Sequence, residues 1–142
     1  MKAKTIKGKS TEEIQSALEQ SITEDFSSTL AIILLTNIDN AGPIHSIFNT
    51  KGIEIFGAST SQKFTEQGLE QDDIVVLLMD ISKDCFRIVL KDYEDGSVYD
   101  ASRHIGEAGK QAFANPGFII SCADFRMSGD ELINGLTDAA GK

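Results

Sequence analysis

The segment TLAIILLTN, at residues 29–37, constrains the fold most because it is apolar at both odd and even positions. Successive side chains of a β-strand point to opposite faces of the sheet, so a strand that is apolar throughout must be covered on both faces. We therefore expect this segment to form a central strand. The stretch NIDNAGP that follows has the composition of a turn.

Strand and helix patterns alternate on both sides of this segment. KAKTIKG, at residues 2–8, alternates as a strand does, and Ser10 with Glu13 forms a capping box ahead of an amphipathic helix. A short helix is expected from Ile44, with Gly52 as its left-handed C-terminal cap. The strand pattern GIEIFGA comes directly afterwards.

The second half of the chain carries three further strand patterns. DIVVLLMDI, at residues 73–81, is expected to pair with a strand near residues 62–65 in a wide antiparallel hairpin. DCFRIVLKDY, at residues 84–93, alternates between apolar and charged side chains, and GFIISCA, at residues 117–123, is apolar. Two amphipathic helices are predicted, one over residues 98–112 and one after a capping box of Ser128 and Glu131.

This order of elements predicts a mixed α/β fold (α+β), in which a predominantly mixed β-sheet is covered by amphipathic helices. The sequence has no internal repeat and no linker, so residues 1–142 are predicted to form a single domain. The last predicted helix follows an apolar strand and has no later strand to connect to. We therefore expect the chain to be the front part of a longer protein.

The charge of the chain excludes some partners. Thirteen basic and 22 acidic residues give a net charge of -9, which repels a phosphate backbone, so we expect no nucleic-acid partner. No apolar run approaches the roughly 20 residues that span a bilayer, and the N-terminus lacks the apolar stretch of a signal peptide. We therefore expect no membrane partner and a cytoplasmic protein.

Metal and redox chemistry have little support in the sequence. His45 and His104 have no partner ligand at metal-binding spacing, so we expect neither a metal site nor another cofactor. Haem binding would require one of these two histidines as an axial ligand. Cys85 and Cys122 lie in apolar strand patterns, which favours buried, reduced thiols over a disulfide.

The sequence also lacks the common catalytic motifs. Residues 57–61 read Gly-Ala-Ser-Thr-Ser, which is not a nucleophile elbow, and neither phosphate-binding glycine motif occurs. We therefore predict a protein that is not an enzyme. Two alternatives remain open: a small hydrolase or transferase that uses Ser59 or Cys122, and a module that self-associates through a strand edge or an apolar helix face.

Small polar residues at the ends of predicted strands give the best candidate for a site. In sheets with helices on their faces, ligands bind beyond the carboxyl ends of strands. Hydroxyl and amide groups there can hold a small polar ligand, and an arginine can bind its carboxylate. The predicted ligand-binding residues are Gly57, Ser59, Thr60, Asn37, Asp124 and Arg126.

Residues 52–81, GIEIFGASTSQKFTEQGLEQDDIVVLLMDI, resemble the core of the FIST N-terminal domain. In that family a strand enters a Gly-x-Ser-Thr motif, a glycine-containing turn follows, and a second apolar strand begins. Gly57, Ser59 and Thr60 match the motif and Gly68 matches the turn glycine. Residues 130–142, DELINGLTDAAGK, resemble a later helix of the family. The family domain normally continues past that helix into a further strand, so the resemblance is to a shortened relative or to the N-terminal part of the domain.

The resemblance implies a sensory module of a bacterial signal transduction protein that binds a small ligand such as an amino acid. It also implies possible haem binding, since some members of the family are described as haem-binding nitric oxide sensors. This chain departs from the family at three positions. The family commonly has Cys at the position of Ala58, and Gly followed by Glu at the positions of Gln62 and Lys63. A homodimer is a further expected assembly.

Overall fold

The computed structural model describes residues 1–70, 72–93, 97–122 and 128–141. The chain divides into two compact units, residues 1–86 and residues 87–142. The prediction of a single domain over residues 1–142 stays a prediction. The described elements combine a four-stranded mixed sheet with amphipathic helices, which confirms the mixed α/β class.

In the first unit, strands and helices follow one another as the sequence predicts. In the second unit, the regular elements are helices. Two short 3₁₀ turns, Ile38–Asn40 and Lys83–Cys85, accompany them. The elements of the first unit are β1 (Lys2–Gly8), α1 (Thr11–Ser21), β2 (Leu30–Leu35), α2 (Ala41–Asn49), β3 (Glu54–Ser59), β4 (Lys63–Thr65), β5 (Gly68–Glu70) and β6 (Ile74–Asp80). Those of the second unit are α3 (Val98–Ala112) and α4 (Gly129–Ala140).

The sheet of the first unit has the order β1-β6-β2-β3. Strand β6 is antiparallel to both β1 and β2, whereas β2 and β3 are parallel neighbours. Consequently β1, β2 and β3 all run in the same direction. The segment after Thr29 is an inner strand, as predicted, because β2 has hydrogen-bonded neighbours on both sides.

One face of this sheet forms the hydrophobic core with α1 and α2. Because paired residues of neighbouring strands point to the same face, Ile33 of β2, Val76 of β6 and Ile6 of β1 lie side by side. Leu18 of α1 and Phe48 of α2 belong to the same buried cluster. On the opposite face Leu30 and Val75 are buried, and Ile32, Leu34 and Leu77 are half-buried.

Local capping signals place the helices of this unit. The Ser10 hydroxyl accepts from the Glu13 amide at 3.3 Å, and the Glu13 carboxylate accepts from the Lys9 amide at 2.8 Å. Gly52 follows α2 with a φ of 69°, the left-handed conformation that glycine adopts without steric cost. The capping box and the glycine cap are therefore both confirmed.

The predicted wide hairpin is wrong in its pairing. Strand β4 pairs with β5 rather than with β6, because Gly68, at a φ of 117°, allows the chain to turn back at once. Residues 74–80 then enter the sheet between β1 and β2. That inner position suits a strand that is apolar on both faces.

Two predicted strands are absent from the described residues. Residues 86–93 and 117–122 are irregular, and Leu90 is 97% exposed. An alternating pattern shows that a segment is amphipathic, but a strand also needs a neighbour to accept and donate its backbone hydrogen bonds. The predicted burial of Cys85 and Cys122 is also wrong, because both thiols are free and exposed.

The second unit is a pair of helices in close contact. The Ser128 hydroxyl caps α4 by accepting from the Glu131 amide at 3.3 Å, as the second capping box predicts. Gly106 of α3 and Gly135 of α4 bring the helices together: a Cβ atom at Gly106 would lie 2.8 Å from Ala139 Cβ. A Cβ atom at Gly135 would clash with Ser102 Oγ and the Tyr99 carbonyl oxygen.

We predict that Gly135→Ala destabilises the pair of helices although alanine is the better helix former. The gain in helix propensity is about 1 kcal/mol, whereas overpacking against a backbone carbonyl costs about 1–3 kcal/mol and cannot be relieved by a side-chain rotation. Urea unfolding followed by far-UV circular dichroism measures the difference. Gly129→Ala is the control, because no atom lies within 4 Å of its added Cβ. Equal stability of the two variants would contradict the prediction.

Candidate functional site

Three strand ends meet at one edge of the sheet in the first unit. Leu35 at the end of β2 pairs with Ser59 at the end of β3 and with Ile74 at the start of β6, and Ile74 also pairs with Gly8 at the end of β1. We call the edge formed by these four residues the carboxyl edge. It is the position at which sheets of this kind bind ligands.

The structure brings three of the predicted ligand-binding residues to the carboxyl edge. Ser59 is the last residue of β3, and the amide of Thr60 donates to the Leu35 carbonyl at 2.8 Å. Asn37 lies two residues beyond β2. The loops after β2 and β3 therefore leave the sheet next to each other.

The side chains of two of these residues are already engaged. The Thr60 hydroxyl donates to the Gln62 carbonyl at 2.9 Å and accepts from the Gln62 amide at 3.3 Å, so it closes its own turn. The Asn37 side-chain oxygen accepts from the Asp39 amide at 3.0 Å and caps the following 3₁₀ turn. Both side chains stabilise the conformation of their own loops. Only their remaining hydrogen-bond donors are left for a ligand.

Ser59 differs from these two residues. It is exposed, and its hydroxyl has no hydrogen-bond partner in the described part of the chain. A hydroxyl group supplies one donor and two acceptor positions. Ser59 is therefore the predicted site residue that is most available to a ligand.

Gly57 contributes to packing between the strands. It lies within β3 opposite Ile33, and a Cβ atom added there would lie 3.3 Å from the Ile33 carbonyl oxygen. That distance is tighter than an ordinary contact. The small size of Gly57 thus allows β3 to pair closely with β2 and sets the position of Ser59 two residues later.

Asp124 and Arg126 lie outside the described residues, so their predicted roles stay predictions. Cys122, which was considered as a nucleophile, is exposed in the second unit. His45 and His104 are exposed, on α2 and α3 respectively.

Lys63 is a polar residue at this edge that the sequence reasoning did not select. Only 3% of its surface is exposed, and its ammonium nitrogen donates to Thr36 Oγ1 at 2.5 Å. Thr36 follows β2 directly and its amide donates to the Asp73 carbonyl at 2.9 Å. No local sequence pattern indicates the burial of Lys63, because it depends on where the hairpin of β4 and β5 packs.

The same end of the hairpin of β4 and β5 is also attached to β1, because Glu70 is the residue paired with Lys63. The Lys7 ammonium lies 2.8 Å from a Glu70 carboxylate oxygen, and Thr65 Oγ1 donates to the other oxygen of that carboxylate. Lys7 further donates to the Gln67 side-chain oxygen at 3.2 Å. The hairpin is therefore held to the ends of both β1 and β2 by lysine side chains.

These contacts change the pKa values of both charged partners. Hydrogen bonds from Lys7 and Thr65 lower the pKa of Glu70, with a smaller contribution from the positive charge of Lys7. The hydrogen bond to Glu70 raises the pKa of Lys7, and the charges of Glu70, Asp72 and Glu66 raise it further. Both shifts favour the ionised pair.

Within residues 1–70, 72–93, 97–122 and 128–141, no group of three or more His, Cys, Asp or Glu side chains is placed to hold a metal ion. Over the same ranges, every helix is too short or too polar to cross a membrane.

Comparisons of the chain with protein-family models, curated proteins and solved structures find no match. The resemblance to the FIST N-terminal domain stays a prediction that depends on the motifs in residues 52–81 and 130–142.

We predict that the contact between Lys7 and Glu70 stabilises the fold at neutral pH and loses its effect in acid. A lowered folded-state pKa means that Glu70 contributes stability above its unfolded pKa of about 4.3, and that this contribution disappears as the pH falls through the folded value. Urea unfolding of wild type and Glu70→Gln should therefore differ at pH 7, and the difference should be smaller at pH 3.

Glu24→Gln is the control for this experiment. It removes one carboxylate that is exposed and has no hydrogen bond within the described ranges. We expect its unfolding free energy at pH 7 to stay close to that of the wild type. A Glu70→Gln difference that is the same at pH 7 and pH 3 would show that the carboxylate charge does not contribute.

Proposed function

We propose that the first unit binds a small polar ligand at the carboxyl edge and acts as a non-catalytic sensory domain. The observation that carries this proposal is the free, exposed hydroxyl of Ser59 at the end of a parallel strand pair. The FIST resemblance supports a role in a bacterial signal transduction protein. It also supports a small polar ligand, such as an amino acid, bound in the cytoplasm.

The position of Ser59 favours ligand binding for a geometric reason. Parallel strands end at the same edge, and their loops diverge there because each must lead to a different element. After β2 the chain turns into α2, whereas after β3 it enters the hairpin of β4 and β5. Ser59 and Thr36 thus present hydroxyl groups from two loops that lead in different directions.

A sensory role requires that the ligand prefer one conformation of the protein to another. The hairpin is the element that a ligand at the carboxyl edge would bias, because Lys63 begins the hairpin and contacts Thr36. Its other attachment includes the partly exposed ion pair of Lys7 and Glu70. A ligand that contacts Lys63 or Thr36 would change the free energy of this hairpin position relative to any other.

A hydrolase has weaker support than a binding domain. Within the described part of the chain, no hydrogen bond joins Ser59 to a histidine or a carboxylate that would remove its proton. A serine nucleophile needs such a base. The exposed Cys122 lies in the other unit and has the same lack of a paired base in the described ranges.

Self-association through β3 is the second candidate function. Strand β3 is an edge strand of the four-stranded sheet, and it carries no lysine or proline that would block pairing with another chain. A homodimer that joins two β3 strands would use the backbone groups on that side. Light scattering over a range of protein concentrations tests it, and a strict monomer would remove this candidate.

We predict that Ser59→Ala weakens ligand binding without unfolding the protein. The loss of one neutral hydrogen bond costs about 1 kcal/mol, which is roughly a fivefold increase in Kd. A thermal-shift screen with free amino acids, small carboxylates, nucleotides and haem finds the ligand, and calorimetry gives the Kd. A ligand that binds only the folded state raises Tm in a concentration-dependent way.

Ser27→Ala is the matched control, because Ser27 is exposed and precedes β2 at the opposite edge of the sheet. Its Kd should equal that of the wild type. A screen without any stabilising ligand would contradict the binding function. Turnover of an ester or amide substrate that Ser59→Ala abolishes would contradict the non-catalytic assignment and favour the hydrolase.

A further inference from the structure

Lys63 is a buried cation that forms no ion pair in the described part of the chain. With 3% of its surface exposed, its side chain lies among protein atoms, and in the described part of the chain its hydrogen-bond partner is the neutral hydroxyl of Thr36. Removing an ammonium group from water is unfavourable unless opposite charge and hydrogen bonds replace the water. Lys63 therefore has an incomplete set of partners.

The nearby carboxylates are directed elsewhere. Glu70 pairs directly with Lys63 across the hairpin, but its carboxylate is bound to Lys7. Glu66 accepts from Thr5 on β1 at 3.4 Å. Lys83 lies 3.7 Å from Glu54. Ion pairs thus form at Lys7 and Lys83, which keep a larger exposed surface, but no described acidic residue forms one with Lys63.

The ammonium of Lys63 lies beside a residue that is itself at the surface. Its nitrogen lies 2.5 Å from the hydroxyl of Thr36, which is an exposed residue, so the charge is close to the surface at the carboxyl edge. Long cationic side chains commonly bury their methylene groups and keep the charged group near the surface. A lysine ammonium has three N–H donors, and the contact with Thr36 uses one of them.

We propose that Lys63 is the anion-binding residue of the carboxyl edge and that its ligand is the carboxylate of a small molecule. This inference rests on the proposed binding function and specifies the chemical class of the ligand. The two remaining N–H donors of Lys63 bind the carboxylate oxygens, and the Thr36 hydroxyl, which accepts from Lys63, donates its own proton to the same group. The free hydroxyl of Ser59 then contacts the rest of the ligand.

A singly charged carboxylate fits this position better than a phosphate. Lys63 supplies one positive charge, and the net charge of -9 over the chain opposes a ligand with two or more negative charges. Phosphate sites also use runs of backbone amides from glycine-rich loops, and the chain has no such motif. A free amino acid and a simple carboxylic acid share this chemistry, and the probes below separate them.

The test compares carboxylate probes with the corresponding amides on wild type and Lys63→Met. Acetate and glycine carry the carboxylate, whereas acetamide and glycinamide have the same shape without its charge. Calorimetry and thermal shift should show binding of a carboxylate probe to the wild type and at least a roughly tenfold weaker Kd in Lys63→Met, the size expected for a charged hydrogen bond. Binding of glycine but not acetate identifies an amino acid; equal binding identifies a simple carboxylate.

Lys51→Met is the matched control, since it removes the same charge from an exposed residue between α2 and β3. Its Kd for the carboxylate should equal that of the wild type. Without ligand, Lys63→Met should be at least as stable as the wild type, because a buried cation is replaced by an apolar side chain of similar length.

A chemical measurement on the wild type covers the case in which Lys63→Met does not fold. Acetylation of Lys63, followed by peptide mass spectrometry, should slow when the carboxylate probe is present, while acetylation of Lys51 should not change. Any one of four results overturns the inference: no carboxylate probe binds, the Kd values of wild type and Lys63→Met are equal, inorganic phosphate binds more tightly than the carboxylates, or the probe does not protect Lys63 from acetylation. The proposed function survives that result if a neutral ligand still binds in a Ser59-dependent way.

Discussion

The parallel pairing of β2 with β3 is the constraint on which the rest of the first unit depends. A strand that is apolar on both faces is stable only as an inner strand, so β2 needs a neighbour on each side. The structure supplies β6 on one side and β3 on the other. Because β3 is parallel to β2, their ends coincide, and the last residue of each strand, Leu35 and Ser59, becomes a directly paired position. The location of the candidate site follows from this pairing.

The elements that the sequence predicts correctly are those with local causes. The Ser10 and Ser128 capping boxes begin α1 and α4, and Gly52 follows α2 in a left-handed conformation. Each of these signals involves residues within a few positions of one another. The strands predicted around residues 86–93 and 117–122 are absent from the part of the chain that the structure describes. Their formation would depend on a neighbouring strand, and no local pattern identifies such a partner.

The residues of the candidate site also differ in how well the sequence predicts their positions. Asn37, Ser59 and Thr60 could be placed at one edge from the order of strands and helices alone. The burial of Lys63 could not, because it depends on the hairpin of β4 and β5 folding back toward the end of β2. A lysine in a polar loop is ordinarily a solvated side chain.

The insertion of β6 between β1 and β2 has a consequence for the order of events during synthesis. Lys2 pairs with Asp80, so β1 has no hydrogen-bonded neighbour in the sheet until residues 74–80 have left the ribosome. The helix α1 and the apolar strand β2 are made long before that point, with their buried surfaces still open to solvent. Sheets closed by such distant pairings fold slowly and expose apolar strands while they wait. Until β6 is complete, the apolar strand β2 therefore lacks one of the two neighbours that cover its edges in the folded sheet.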